Sequence, residues 1–160
     1  MAAQALSGVL VVALEQAVAA PLASRTLADT GAGVIKLERA EGDLARGYDD
    51  TIYGQSSYFV WLNGGTETIA ADIKSGSDLR LVRAIIAKAD VFLQNLAPSA
   101  AARAGLGAVD LRQAHPRLIV CDISGYDEDG LFRERKAYDF LVQAEVGLAS
   151  VTGYPGHPAR

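Results

Sequence analysis

Five short apolar runs, most of them separated by stretches of helical character, govern what this chain can fold into. GVLVVAL (Gly8 to Leu14), VIKLE (Val34 to Glu38), TIAADI (Thr68 to Ile73), DVFLQNL (Asp90 to Leu96) and RLIVCDIS (Arg117 to Ser124) read as strands. Between the first two lies QAVAAPLASRTLADTGAG, alanine- and leucine-rich with Gly31 and Gly33 at its end, which reads as a helix closed by glycine. SDLRLVRAIIAKA repeats Leu79, Val82, Ile86 and Ala89 at helical spacing, Pro98 suits the first turn of a short helix, and VDLRQAH supplies another before Pro116. AYDFLVQAEVGLASV forms a last helical stretch before a turn-rich end with Gly153, Pro155, Gly156 and Pro158. Strands joined through helices need crossover connections, so the expected class is α/β: an open parallel sheet with helices on both faces. From Glu41 to Asn63 the pattern lapses into a polar and aromatic loop, and a loop of that length in a compact domain points to function.

With 160 residues, half of them apolar, the chain is long enough for one domain with its own core. A net charge of −4 lacks the electrostatic footprint that nucleic acid or an anionic bilayer would demand. The single cysteine, Cys121, lies in an apolar run and reads as core packing; it excludes an internal disulfide and fits a reducing compartment. The first residues have neither the basic start nor the cleavage pattern of a leader, and no apolar run approaches the roughly 20 residues of a membrane span. The expectation is a soluble, cytoplasmic protein with no nucleic-acid or membrane partner.

In an open α/β sheet, ligands bind beyond the carboxyl ends of the strands. The informative residues are therefore those leaving each strand: Glu15 to Val18, Glu38 and Arg39, Lys74, Asn95 and Leu96, and Ser124 to Tyr126. Glu38 stands where a dinucleotide-binding sheet carries its ribose acid. The first turn, ALEQAVAAP, has no glycine to bring backbone close to a pyrophosphate, which argues against NAD. Arg39, Lys74 and Arg103 leave the same edge and suit an anion bearing several phosphates, although each also fits a solvated helix end.

LEQAVAAPLASRTLADTGAGVIKLER, YFVWLN with IAADIK, ADVFLQNLAP with RAGLG, LIVCDISGY and RKAYDFLVQAEVGLASVTG resemble, in order, the N-terminal part of the family III coenzyme A transferases. That group includes enzymes acting on formyl-CoA, carnitine-CoA and dicarboxylate-CoA thioesters, and the nearest flavour is the branch for small dicarboxylates such as mesaconate, itaconate or citramalate. The resemblance implies a Rossmann-like fold, incomplete relative to the family. Residues 1–160 would be the N-terminal part of the large CoA-binding domain, with the second domain absent from this chain. It also implies an acyl-CoA and a small carboxylic acid as substrates, coenzyme A thioester with no tightly bound cofactor, no metal, and an interlocked homodimer. The CoA site it implies comprises Ala17, Val18, Arg39, Ala71, Lys74, Asn95, Leu96, Arg103, Ala104, Ser124 and Gly125. Gly125 reads equally well as a plain turn glycine.

Two departures from the family matter. Asn63-Gly64-Gly65-Thr66 stands where members read N-R-G-K, so two cations are missing beside the expected phosphates; affinity should fall by up to a few kcal/mol if those groups made charged hydrogen bonds. The transferase turn resembles T-G-x-P-D-G-P, its aspartate attacking the thioester to give an anhydride and then an enzyme-bound thioester. Gly156 occupies that aspartate's place. His157 beside it reads as an exposed turn residue sooner than a base. Asp139 is then the nearest remaining acid and the catalytic candidate, with a capping role at a helix start as the competing explanation. Tyr138 replaces the histidine of related racemases, which argues against racemase chemistry. Two functions stay open: a CoA-transferase, or a non-catalytic CoA- or nucleotide-binding fragment that has lost its aspartate and C-terminal half. Family members are much longer, so the turn-rich end reads as an interrupted loop, and the isolated segment should associate or be marginally stable.

Overall fold

The computed structural model describes residues 4–127, 129–154 and 156. The chain divides into two compact units, Met1–Ile123 and Ser124–Arg160.

In the first unit, strands β1 (Leu10–Leu14), β2 (Gly33–Glu38), β3 (Glu67–Ala70), β4 (Val91–Gln94) and β5 (Ile119–Asp122) form one sheet in the order β3-β2-β1-β4-β5. Every neighbouring pair is parallel. Strand order reverses between β1 and β4, both of which are central, so the crevice at their carboxyl ends is the topological switch point of the sheet.

Alternation along the strands divides the core between two faces. Val12 and Leu14 of β1, Leu37 of β2 and Phe92 of β4 pack with Val82 and Ile86 of helix α3 (Gly76–Ile86), Ala101 of α4 (Ala100–Arg103) and Leu111 of α5 (Ala108–Ala114). On the opposite face, Val11, Ala13, Val34 and Leu93 meet helix α1 (Ala19–Asp29) through Ala20, Ala23, Leu27 and Ala28. Each fully buried side chain of the Leu, Val or Phe type stabilises the fold by about 1.5–3 kcal/mol relative to leaving it exposed. The α/β class with helices on both faces is thus observed.

Helix α1 closes as its composition predicts. Gly31 has φ +103°, its N–H donates to the carbonyl of Ala28 at 2.9 Å, and the Ala32 N–H donates to Leu27 at 3.1 Å. This is a Schellman closure, and a side chain at position 31 would be strained. The helix begins later than the alanine run suggests, because Ala17 adopts φ +65° and cannot extend it.

Several expectations need correction. The Glu41–Asn63 segment is not a bare loop: it holds a 3₁₀ turn at Leu44–Gly47 and helix α2 (Ser57–Leu62). Asp49 ties it together, accepting the backbone N–H groups of Thr51 and Ser57 and the Ser57 hydroxyl, which hold its carboxyl well below the usual range. Pro98 precedes α4 instead of entering it, since Ser99 is its N-cap in a left-handed conformation. RLIVCDIS contributes only four residues of strand, β5 lies at the edge of the sheet, and Cys121 is exposed instead of buried. Position in the sheet, not hydropathy, sets that exposure.

In the second unit the expected final helix is two helices, α6 (Asp139–Glu145) and α7 (Leu148–Val151), broken where Gly147 takes φ +76°. Around them, Tyr126 donates its hydroxyl to Glu145 at 2.5 Å and Arg135 donates to the other carboxylate oxygen at 2.6 Å, with the Arg135 guanidinium 4.2 Å above the Phe132 ring. The hydrogen bond to Glu145 pushes the Tyr126 phenol up from its ordinary value. No helix among the described residues is long and apolar enough to cross a membrane. His157, Pro155 and Pro158 lie outside the described residues.

Candidate functional site at the carboxyl rim of the sheet

The first candidate position follows β1. Gln16 and Ala17 form the turn into α1, Ala17 with its positive φ and Val18 as the helix N-cap residue. Asn95, leaving β4, faces this turn across the switch point. Its Oδ1 accepts the Gln16 N–H at 2.9 Å and its Nδ2 donates to the Gln16 carbonyl at 2.8 Å, so one side chain pairs with a whole peptide residue as a neighbouring strand would. Leu96 donates its N–H to Oε1 of Gln94 at 2.7 Å.

Arg39 leaves β2 exposed. Beyond β3, Ala71 is buried in the core and donates its N–H to the Glu38 carbonyl at 2.8 Å, so only its backbone borders the rim. Lys74 is exposed, with its N–H turned onto Asp72 Oδ1 at 2.9 Å. Arg103, in the last turn of α4, is exposed, and the Ala104 carbonyl after it accepts from Arg83 of α3 at 2.9 Å. Seven of the proposed contacts, Ala17, Val18, Arg39, Ala71, Lys74, Asn95 and Leu96, therefore follow the carboxyl ends of four adjacent strands in one sheet, whereas Arg103 and Ala104 close α4 and meet Arg83 in the last turn of α3.

The other three belong to the second unit. Ser124 donates its hydroxyl to the Tyr126 carbonyl. At Gly125, a Cβ would stand 1.9 Å from the Cβ of Ala137, so close packing alone requires glycine there. Asp139 is the first residue of α6, exposed, and accepts from Gln143 at 2.6 Å, one turn along the helix. Gly156 has φ +82°, a left-handed backbone that favours glycine, so its identity has a conformational reason independent of any lost carboxylate.

Behind the β1–α1 turn is a feature that strand-exit reasoning missed. Lys36, in the middle of β2, is 0% exposed. Its Nζ donates to Asp43 Oδ2 at 2.6 Å and to Asn63 Oδ1 at 2.7 Å, and lies 3.8 Å from Glu15 Oε1. Asp43 in turn accepts the N–H groups of Ala17 and Ala45, both at 2.9 Å, and donates its own N–H to Glu38. Glu38 is held by Arg46 at 2.6 Å, and the Arg46 guanidinium stacks 3.8 Å over Phe59 of α2. That carboxylate is fully engaged, which removes the ribose-binding role that its position first suggested. Glu15 accepts from Ser24 of α1 at 2.9 Å on Oε1, while its buried Oε2 has no hydrogen-bond partner among the described residues. Burial pushes the Glu15 carboxyl up to about 7, against the lowering influences of Lys36 and Ser24. The sequence signal was present: one lysine inside VIKLE, in a strand covered on both faces. Asn63, the first residue of the Asn63-Gly64-Gly65-Thr66 stretch, serves as the ammonium's acceptor. Its neighbour Gly64 leaves room for Arg25, which donates to the Trp61 carbonyl; a Cβ at position 64 would meet that guanidinium.

A five-stranded parallel sheet whose order reverses between β1 and β4, with helices on both faces, defines a Rossmann-like α/β fold. The profile of CoA-transferase family III matches residues 6–160, and the chain belongs to that family. It is 35% identical to the succinate–glutarate CoA-transferase of Agrobacterium fabrum, across 97% of this chain and 41% of that protein. Similarity to the acetyl-CoA:oxalate CoA-transferase of Acetobacter aceti is 36% identity, across 96% of this chain and 40% of that one. A crystal structure of a CaiB/BaiF family protein from Brucella suis superposes with a TM-score of 0.91 at 34% identity, covering 99% of this chain and 43% of that one. The chain thus spans about two fifths of the length of these relatives.

Proposed function

We propose that this chain supplies the coenzyme A-binding face of a CoA-transferase that moves CoA between small carboxylic acids. What supports the reading is that Ala17, Val18, Arg39, Ala71, Lys74, Asn95 and Leu96 follow the carboxyl ends of adjacent strands in a chain of this family; Arg103 and Ala104, after α4, are proposed contacts from the resemblance alone. Cations at the rim suit the nucleotide phosphates, and the turn and apolar positions suit the pantetheine arm. Ser124 and Gly125, in the second unit, are proposed CoA contacts from the family resemblance. The relatives are named for succinate, glutarate and oxalate, which favours short dicarboxylates as the acids exchanged and moves the emphasis away from mesaconate, itaconate and citramalate.

In the proposed chemistry a carboxylate oxygen attacks the thioester carbonyl, the C–S bond breaks, and CoA leaves as thiolate. The thiolate then attacks the enzyme-side carbonyl of the anhydride, releasing the donor acid and leaving CoA on the enzyme. Repetition with the acceptor acid, in reverse order, delivers the new thioester. Within residues 1–160, Asp139 is the carboxylate assigned this role, as an exposed acid at the start of α6.

The test is incubation with succinyl-CoA and glutarate, with glutaryl-CoA followed by chromatography. New thioester that disappears in Asp139→Asn supports both parts. Transfer unaffected by that substitution moves the nucleophile elsewhere in the protein. CoA binding without any transfer selects the non-catalytic binding module instead. The proposed homodimer and cytoplasmic location are checked by sedimentation and by fractionation of the source cells.

A further inference from the structure

The turn between β1 and α1 lies at the switch point of the sheet, and its backbone is held in a conformation that its residues would not choose. Ala17 has φ +65°, a left-handed geometry that disfavours a residue with a Cβ. Such strain persists only where the surroundings over-determine it. Two consecutive peptide groups are gripped from different parts of the chain. Asn95, at the exit of β4, binds both the N–H and the carbonyl of Gln16. Asp43, in the connection after β2, accepts the N–H of Ala17. Asp43 is itself fixed: Lys36 holds its other oxygen from within the sheet, and its own N–H is anchored on Glu38.

We propose that Asp43 and Asn95 are positioning residues, which lock the Gln16–Ala17 turn against the carboxyl rim so that it meets the CoA thioester in one fixed geometry. This rests on the CoA-transferase reading. It changes what Asn95 is for: both polar atoms of its side chain are engaged with Gln16, so its influence on the thioester passes through the turn. Lys36 has the supporting task of keeping Asp43 aimed, by holding its Oδ2 at 2.6 Å from a fully buried place within the sheet.

The experiment compares the full-length protein with Asn95→Ala, Asp43→Asn, Ala17→Gly and the Asn95→Ala/Ala17→Gly double variant, measuring kcat and KM for succinyl-CoA to glutarate transfer alongside the thermal midpoint. Small misplacements of a reacting group lower rates steeply, so Asn95→Ala should lose roughly tenfold to a hundredfold in kcat/KM. Asp43→Asn, which keeps an acceptor for Ala17, should lose less. Ala17→Gly relieves the left-handed strain and should restore the thermal midpoint of the Asn95→Ala protein without restoring its rate. Rate recovering together with stability would overturn the inference, because Asn95 would then only hold the fold. Asn95→Ala within twofold of the unaltered protein would also overturn it. Absence of both CoA binding and transfer in the unaltered protein removes the transferase reading and this inference together, whereas normal transfer with indifferent variants removes the inference alone.

Discussion

Strands β2 and β5 belong to one sheet and invert what their residues suggest. VIKLE carries a lysine and a glutamate, yet Lys36 is 0% exposed and Leu37 is buried beside it. IVCD carries three apolar residues, yet Ile119 is 63% exposed and Cys121 is exposed too. The difference lies in neighbours. β2 has β1 on one side and β3 on the other, with α1 on the face that carries Lys36, whereas β5 has only β4 as a partner among the described residues. A strand inside the sheet can bury a charge if the fold brings it partners; a strand at the margin exposes apolar side chains whatever they are.

The sharpest way to break that contrast is Lys36→Met. Methionine fills similar volume, but Asp43 and Glu15 would lose the cation between them. Removing one partner of a buried ion pair costs about 3–5 kcal/mol, the largest effect expected at any single position of the sheet. Urea unfolding followed by circular dichroism measures it. A loss under about 1 kcal/mol, the range of solvated surface pairs, would mean that water reaches the lysine and that β2 is no more enclosed than β5.

Glu15→Gln tests the same enclosure through pH. The carboxyl titrates at about 7 in the folded protein against an ordinary 4.5. Between those values the folded state keeps a proton that the unfolded chain has released, so this group makes stability fall as pH rises, and the decrement is complete above the folded value. At about 1.4 kcal/mol per unit, the total is on the order of 3 kcal/mol. Glutamine cannot ionise. The variant should therefore match the unaltered protein near pH 4 and exceed it near pH 8. Parallel pH profiles for the two proteins would show that Glu15 is solvated and carries no such burden.

These residues mark what could be read in advance. Runs of β-branched residues alternating with helical spacing disclosed the parallel sheet, and strand exits located the rim, because both follow from local pattern and one topological rule. The buried network did not emerge, since the partners of Lys36 stand seven and 27 residues away and only the folded chain gathers them. Ala17 and Gly147 escaped for a related reason. A helical periodicity does not reveal where a single left-handed residue will delay or break the helix, as at the start of α1 and between α6 and α7. Asn95 was legible as a rim residue, but its use as a substitute strand for Gln16 depends on the reversal between β1 and β4.

The smallest effect belongs to β5. Ile119→Thr keeps a β-branched side chain in the strand and removes apolar surface that is already mostly in contact with water, so stability should change by no more than about 0.5 kcal/mol, the range of ordinary surface substitutions. The same substitution at a residue like Val12, wholly enclosed in the core, would place a hydroxyl among apolar neighbours and be felt severalfold more. Cys121 offers an independent probe on the same strand. Its thiol should react with a disulfide reagent in the native 160-residue chain, without denaturant, at a rate approaching that of a free thiol, whereas a core cysteine would wait for unfolding. A protected thiol together with a costly Ile119→Thr would show that a further surface covers β5 in solution. The contrast with β2 would then be one between two interior strands, one enclosed by its own sheet and helices and the other by association.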